Sequence, residues 1–469
     1  MSRLHTRMAF LIMAALALTP GLSAQSPAPA PAAKPAGNPE DAREAVELVN
    51  HAFDLLSTHD PNNAEAAFRK AIGLDPGLAS AHHGLALSLW SKGRGVAAFE
   101  ELNKAVVLDP NDADAHFDLG KLAWDLSRQG PPAGSARPRN ATEYLELAAT
   151  QFALAAKLKP AEVEIRLSLA EADLEARRPQ EAVAAATEAV RLTPQSAAAH
   201  VALGRADLAA GEDVGAVTEA KEALRLDPSD VEAHYLLGQI YSERKNPSGA
   251  EVEFREAIRV KPDFAPAYSA LGQMALGAGK PGEARKLFEK TLELDPGDWQ
   301  SEFQLARLVN EASDSKRAVD LLTDVLRRAP GFAPAEEQLG MALLARGDFA
   351  GATAQAESLE SRQPAAAEGH RLRALILWKQ RDLDGSLAEC AQALGAEPNS
   401  LAMLALQALE LWRLDRKKES RAVFIQAGKR EPRVATAEVF CRLILCDAHD
   451  IGPVEAFLQK NRSALAPAP

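Results

Sequence analysis

Residues 231–264 read VEAHYLLGQIYSERKNPSGAEVEFREAIRVKPDF, and their reading decides the fold. His234, Leu237, Gly238 and Tyr241 recur at intervals of three and four, the spacing of one helix face. Asn246-Pro247 interrupts that pattern, because proline lacks an N–H and its ring clashes with a preceding helical turn. A second amphipathic stretch follows, with Ala250, Phe254, Ala257 and Ile258 on one side, and Lys261-Pro262 stops it. Such a hairpin exposes apolar surface on both flanks. It is stable only between neighbours of its own kind.

The sequence supplies those neighbours. The closing proline returns as Pro76, Pro110, Pro160, Pro194, Pro228, Pro262, Pro296, Pro330, Pro364, Pro398 and Pro432. Every interval is 34 residues except one of 50, between Pro110 and Pro160, which is a repeat carrying an insertion of 16. Leu-Asp precedes the proline at Pro76, Pro110, Pro228 and Pro296. A small residue sits twelve positions before each closing proline: Ala64, Ala98, Ala148, Ala182, Ala216, Ala250, Ala284, Ala318, Ala352, Ser386 and Ser420. Gly120, Gly204, Gly238, Gly272 and Gly340 share one column of the first helix, filled elsewhere by Ala52, Ala86 and Ala170. Small residues let two helices nest, while Phe68, Phe152, Phe254, Phe288 and Phe424 fill the remaining space. A larger side chain at such a crossing costs ~1–3 kcal/mol.

On these residues the chain resembles the tetratricopeptide-repeat (TPR) family. The resemblance covers residues 45–434 with eleven full repeats. It implies an all-α, right-handed superhelical solenoid with a degenerate capping pair over 435–469, and a concave groove lined by the first helices that takes a partner peptide or helix. The family's aromatic in the first turn is mostly replaced by His82, His116, His200, His234 and His370. Stacked repeats hold these histidines apart, so they read as structural residues and not as metal ligands.

Outside the repeats, Arg3 and Arg7 precede an apolar run over 8–18 and a small-residue site ending at Ala24. This reads as a signal peptide, residues 1–24, and an exported, periplasmic or secreted protein. Eleven apolar residues fall short of a membrane span, so no integral membrane segment is expected in the mature chain. Residues 25–42, rich in Pro and Ala, read as a disordered linker. The solenoid is assigned to 43–434, with the insertion within 127–142. Residues 127–140, SRQGPPAGSARPRN, read as a loop, and 141–150 as an extension of the following helix. After Pro432 a helix is expected over 435–448, a turn at Gly452-Pro453 and a short helix over 454–463.

The formal net charge is −12, and −14 once Arg3 and Arg7 are removed. An acidic chain of this kind argues against general nucleic-acid binding. Cys390 falls in the large apolar column of a second helix, the place of a buried thiol. Cys441 and Cys446 lie five apart on one expected helix, ~7.5 Å along its axis, too far to bridge without unwinding. No structural disulfide is expected.

No nucleophile elbow, zinc motif, paired C-x-x-C or dinucleotide fingerprint occurs. The sequence nominates no catalytic, cofactor-binding or metal residue, and function falls to the shape. Projecting the concave columns selects Trp90, Phe117, Lys121, Trp124, Arg205, Tyr235, Gln239, Gln273, Phe303 and Arg307 as a protein-binding wall of donors and aromatics. The ninth position turns apolar in the outer repeats: Phe53, Leu87, Met341, Leu375 and Leu409. The lysine-then-asparagine clamp of chaperone-binding TPR domains is missing. The reading is a non-catalytic scaffold for a protein or peptide partner. Its rivals are a permanent adaptor in a cell-envelope assembly and a redox or metal-dependent enzyme using Cys441, Cys446 and His449.

Overall fold

The computed structural model describes residues 38–129, 140–312, 314–446 and 448–461. The expected signal peptide, most of the expected linker, the loop segment 130–139 and the tail from 462 lie outside them. Among the described residues there are helices and no strand. The chain divides into two compact units, one reaching Glu188 and the other beginning at Ala189.

In the first unit α1 (Pro39–Ser57) pairs with α2 (Pro61–Leu74), and α3 (Ala79–Ser91) with α4 (Gly95–Leu108). Next, α5 (Ala113–Gln129) pairs with α6 (Ala141–Leu158), and α7 (Val163–Glu175) and α8 (Pro179–Leu192) follow. The second unit continues with α9 (Ala197–Ala210) on α10 (Asp213–Leu226), α11 (Val231–Glu243) on α12 (Pro247–Val260), and α13 (Ala265–Gly277) on α14 (Pro281–Leu294). Then come α15 (Trp299–Glu311) on α16 (Ser315–Arg328), α17 (Ala333–Ala345) on α18 (Phe349–Arg362), α19 (Ala367–Lys379) on α20 (Leu383–Ala396), and α21 (Leu401–Arg413) on α22 (Lys417–Arg430). A 3-10 turn (Pro432–Ala435), α23 (Ala437–Leu443) and α24 (Ala448–Asn461) end the described chain.

The punctuation has a local cause at each site. Asn246 caps α12, its side chain accepting from the Gly249 N–H at 3.1 Å, and Pro247 takes the first helical position, where no N–H is needed. Lys245 turns the chain with φ 55°. At the other end, the aspartate of Leu-Asp-Pro folds back: Asp75, Asp109, Asp227 and Asp295 each accept from the backbone N–H two residues on, at 2.9–3.0 Å.

The core repeats with the sequence. Phe68, Phe152, Phe254, Phe288 and Phe424 are all buried, as is the small column opposite them. A Cβ at Gly238 would stand 2.6 Å from the Phe254 ring, so that ring needs the bare backbone. Ser386 and Ser420 fit the small column because their hydroxyls donate to Ala374 O and Ala408 O at 2.7 Å. Cys390 is a buried free thiol.

Four expectations change. Helix α1 begins at Pro39, inside the stretch read as linker, because Asn38 caps it. The insertion is shorter as loop than 127–142, since α5 runs to Gln129 and Asn140 caps α6 through the Glu143 N–H. The last first-type helix is only seven residues long, and α24 runs through Gly452-Pro453 with Pro453 inside it. Lastly, Cys441 and Cys446 form a disulfide. Helix α23 stops at Leu443 and Leu445 takes a left-handed φ of 53°, which draws the two Cα atoms to 4.7 Å. The unwinding that the bridge requires is present.

Candidate protein-binding surface

Within each unit the first helix of a repeat packs on the first helix of the next: α1 on α3, α9 on α11, α15 on α17, α17 on α19, and α21 on α23. Their shared face is the inner wall, and the candidate residues fall along it in two groups.

In the first unit Lys121 Nζ lies 4.5 Å from the Phe117 ring centroid, and the Arg128 guanidinium 4.7 Å from that of Trp124. Phe117 and Trp124 both lean on the buried Phe152, at 5.5 and 6.1 Å between centroids. Each aromatic is half-buried, so it roots in the core and shows one face. Glu175 ties this ledge together by accepting from Trp124 Nε1 at 2.7 Å and pairing with Arg128. Trp90 is half-buried against the same core. Sequence reasoning missed His83, whose Nε2 is 2.9 Å from Asp118 and Nδ1 3.5 Å from Asp112. Burial opposes its charge, but the two aspartates outweigh that and raise it to about 9. Its neighbour His82 belongs to the periodic histidine column and His83 does not.

In the second unit Arg205, Gln273 and Arg307 are exposed, while Tyr235 and Gln239 are half-buried. Tyr235 is wedged between Phe254 and Phe264, at 5.6 and 5.4 Å, and burial raises its phenol. Gln273 and Arg307 come together on a cleft of about 550 Å³ also lined by Leu276, Gln304, Leu308 and Glu311. Arg307 Nη1 donates to Gln304 Oε1 at 3.1 Å. Phe303 departs from expectation. It is buried, stacked edge-on against Phe332 at 5.0 Å, because the Trp299–Phe332 contact closes over it. It supports Arg307 from below, 5.9 Å from the guanidinium, and offers no anchor itself.

The histidine column is structural in detail. His82, His200, His234 and His370 each meet a glutamate through Nδ1 and the preceding closing proline's carbonyl through Nε2; His116 meets Gln151 and Pro110 O. Glu360, His370 and Glu389 bring ligand-type atoms within 4.8 Å of one another. Arg373 binds Glu360 twice at 2.7 Å, and both ring nitrogens of His370 are taken, so the group is already satisfied by protein.

Family models described as tetratricopeptide repeat match residues 50–113, 145–197 and 337–400. Further TPR models match 204–244, 231–264 and 265–298, and together they cover more than half of the chain. The chain belongs to the tetratricopeptide-repeat family.

As a TPR protein it carries a protein-interaction architecture. Among solved structures it is similar to the crystal structure of MamA, at 28% identity over 33% of this chain and 90% of that one, with a TM-score of 0.28. It is similar to YrrB, described as a TPR protein with an unusual peptide-binding site, at 22% identity over 43% and 95%, TM-score 0.35. A tetratricopeptide repeat protein from Parabacteroides merdae matches at 13% identity over 57% and 98%, TM-score 0.47. A comparison with curated proteins gave no match.

The apolar wall of the last repeats is not open. Leu375 and Leu409 are 1% and 0% exposed, within one buried cluster that also holds Phe440, Val454, Phe457 and Leu458 of the C-terminal helices. Lys379, Arg381 and Trp412 hold that segment, and the sequence reading passed over all three. For Trp412 the signal that could have found it is a column: Trp90, Trp124, Trp378 and Trp412 occupy the same place in their repeats, whereas Lys379 and Arg381 follow no such column.

Proposed function

We propose that this TPR protein is a non-catalytic scaffold that holds a protein or peptide partner against the inner wall of its first helices. The observation carrying the reading is the pairing of cations with rooted aromatics on that wall: Lys121 over Phe117, Arg128 over Trp124, and Arg307 above Phe303 beside the cleft it shares with Gln273. Donors above an apolar base bind a peptide backbone and its side chains together. We place the protein in an exported compartment. The signal-peptide pattern supports this, and so does the Cys441–Cys446 bridge, since such bonds persist where the surroundings oxidise. No helix of the described residues is long and apolar enough to cross a membrane.

The adaptor alternative draws on apolar inner walls at both ends of the array. At the C-terminal end that wall is already covered by the chain itself, which favours the scaffold. In the metal-dependent form of the enzyme alternative, Cys441 and Cys446 would have to act as thiols, and here they are joined to each other.

The test is crosslinking in the native envelope with identification by mass spectrometry, on wild type and on Arg205→Glu with Arg307→Glu. Capture is expected to fall while helicity and melting stay unchanged. Undiminished capture by the double variant overturns the inner-wall assignment.

A further inference from the structure

Helix α24 packs on α23 and crosses α21, so it lies on the first-helix side of the array and not behind the second helices. Its contacts fall on one face at intervals of four, three and one: Asp450, Val454, Phe457 and Leu458. Asp450 is 0% exposed; it accepts from Arg381 Nη1 at 2.6 Å and Lys379 Nζ at 3.2 Å, reaching back a full repeat to the end of α19. Two turns on, Phe457 is boxed by Trp412, Phe424 and Phe440, with centroids at 5.9, 5.0 and 5.5 Å. Trp412 stands in the column that holds the wall candidates Trp90 and Trp124 in earlier repeats, and Lys379 one place past that column in its own repeat.

This is how a helix binds in a groove: an apolar stripe on the wall, an aromatic in a box, and one carboxylate read by a pair of cations. A plain end cap needs only the apolar stripe with a polar outer face. Burying Asp450 against two cations adds cost and directs the register. Helix α23 ends at Leu443, and the Cys441–Cys446 bridge closes the chain just after it, so the tether of α24 is pinned on its α23 side.

We propose that the inner wall of α19 and α21 is a helix-binding site and that α24 is its resident, displaceable occupant. The ligand it takes is an amphipathic helix with an aspartate seven residues before a phenylalanine, the pattern Asp450…Phe457. The inference concerns the last two repeats and stands apart from the partner of the central wall.

The probe is a fluorescently labelled peptide of residues 448–461, titrated against full-length protein. Asp450→Lys unseats the resident helix by turning its anchor against Lys379 and Arg381. That variant is expected to bind the peptide at least tenfold more tightly than wild type does. A peptide carrying Asp450→Lys should not bind it. If the variant gains no affinity, the site is not one for exchange and the proposal fails. Asp450→Asn, which keeps the side-chain shape, guards against a variant that simply unfolds. By hydrogen exchange its residues 448–461 should open at least tenfold faster than α21. Opening of α24 together with α19–α22 overturns the proposal and makes the helix a fixed cap.

Discussion

His234 Nδ1 lies 2.7 Å from Glu253 Oε2, and the same offset of nineteen residues joins His82 to Glu101, His200 to Glu219 and His370 to Glu389. At His234 the other nitrogen meets Pro228 O, which only accepts, so Nε2 carries a proton; the carboxylate likewise calls for one on Nδ1. The ring is assigned as the imidazolium. Glu253 is the leading cause of a raised value at His234. At His200 and His370 burial pulls the other way and Glu219 and Glu389 outweigh it. A raised folded value contributes stability that is complete below the unfolded value near 6.5 and lost as pH rises through the folded one. Melting curves should therefore decline from pH 6.5 upward. Glu253→Gln should return His234 toward its ordinary range in an NMR titration and cost about 1 kcal/mol near pH 6.5.

Glu410 works with the same sign from another cause. It is 0% exposed and its oxygens have no hydrogen-bond partner. Its neighbours are engaged elsewhere, Ser386 with Ala374 O at 2.7 Å and Cys390 with Met403 Sδ at 3.9 Å. Burial pushes its carboxyl up to about 8 from 4.5. The folded chain keeps this proton while the unfolded chain releases it, so stability falls from pH 4.5 to 8. Glu410→Leu should remove that slope and raise stability at pH 8 by ~1–3 kcal/mol, read from urea denaturation at several pH values.

Gly238→Ala places a Cβ 2.6 Å from the Phe254 ring. The expected loss is ~1–3 kcal/mol. Adding Phe254→Leu should recover part of it, a double-mutant coupling measurable by thermal denaturation. Additive losses would mean that the ring does not set the helix spacing.

Replacing both Cys441 and Cys446 by Ser should cost about 2 kcal/mol, the scale of closing a very short loop. The loss should appear as faster hydrogen exchange over 437–461, with α1–α8 unaffected. Reduction by a dithiol should reproduce it in the wild type.

The repeats were legible because their constraints are local and periodic. The closing proline, the small residue twelve positions before it and the phenylalanine knob each recur at one spacing, and one sequence suffices to see them. The wall was legible only in part. Arg205, Gln273 and Arg307 are exposed and Lys121 is half-buried, whereas Phe303 is sealed by Trp299 and Phe332, a contact that column counting does not weigh. The C-terminal end was misread for a related reason. Asp450 reaching Lys379 spans 71 residues and follows no period, and Cys441–Cys446 requires a helix to stop where the sequence carries no breaker.

The histidine joints bear on how the second unit bends. Each ties a first helix to its own second helix and to the loop before it, so its protonation sets the stiffness of one joint. Where the column holds Tyr268, Glu302 and Glu336, the joint is a phenol on Pro262 O or a glutamate paired with Arg328 or Arg362, with no imidazole in it. Rising pH would thus slacken the joints at His200, His234 and His370, so that compliance enters the second unit on either side of the stretch that holds Tyr268, Glu302 and Glu336.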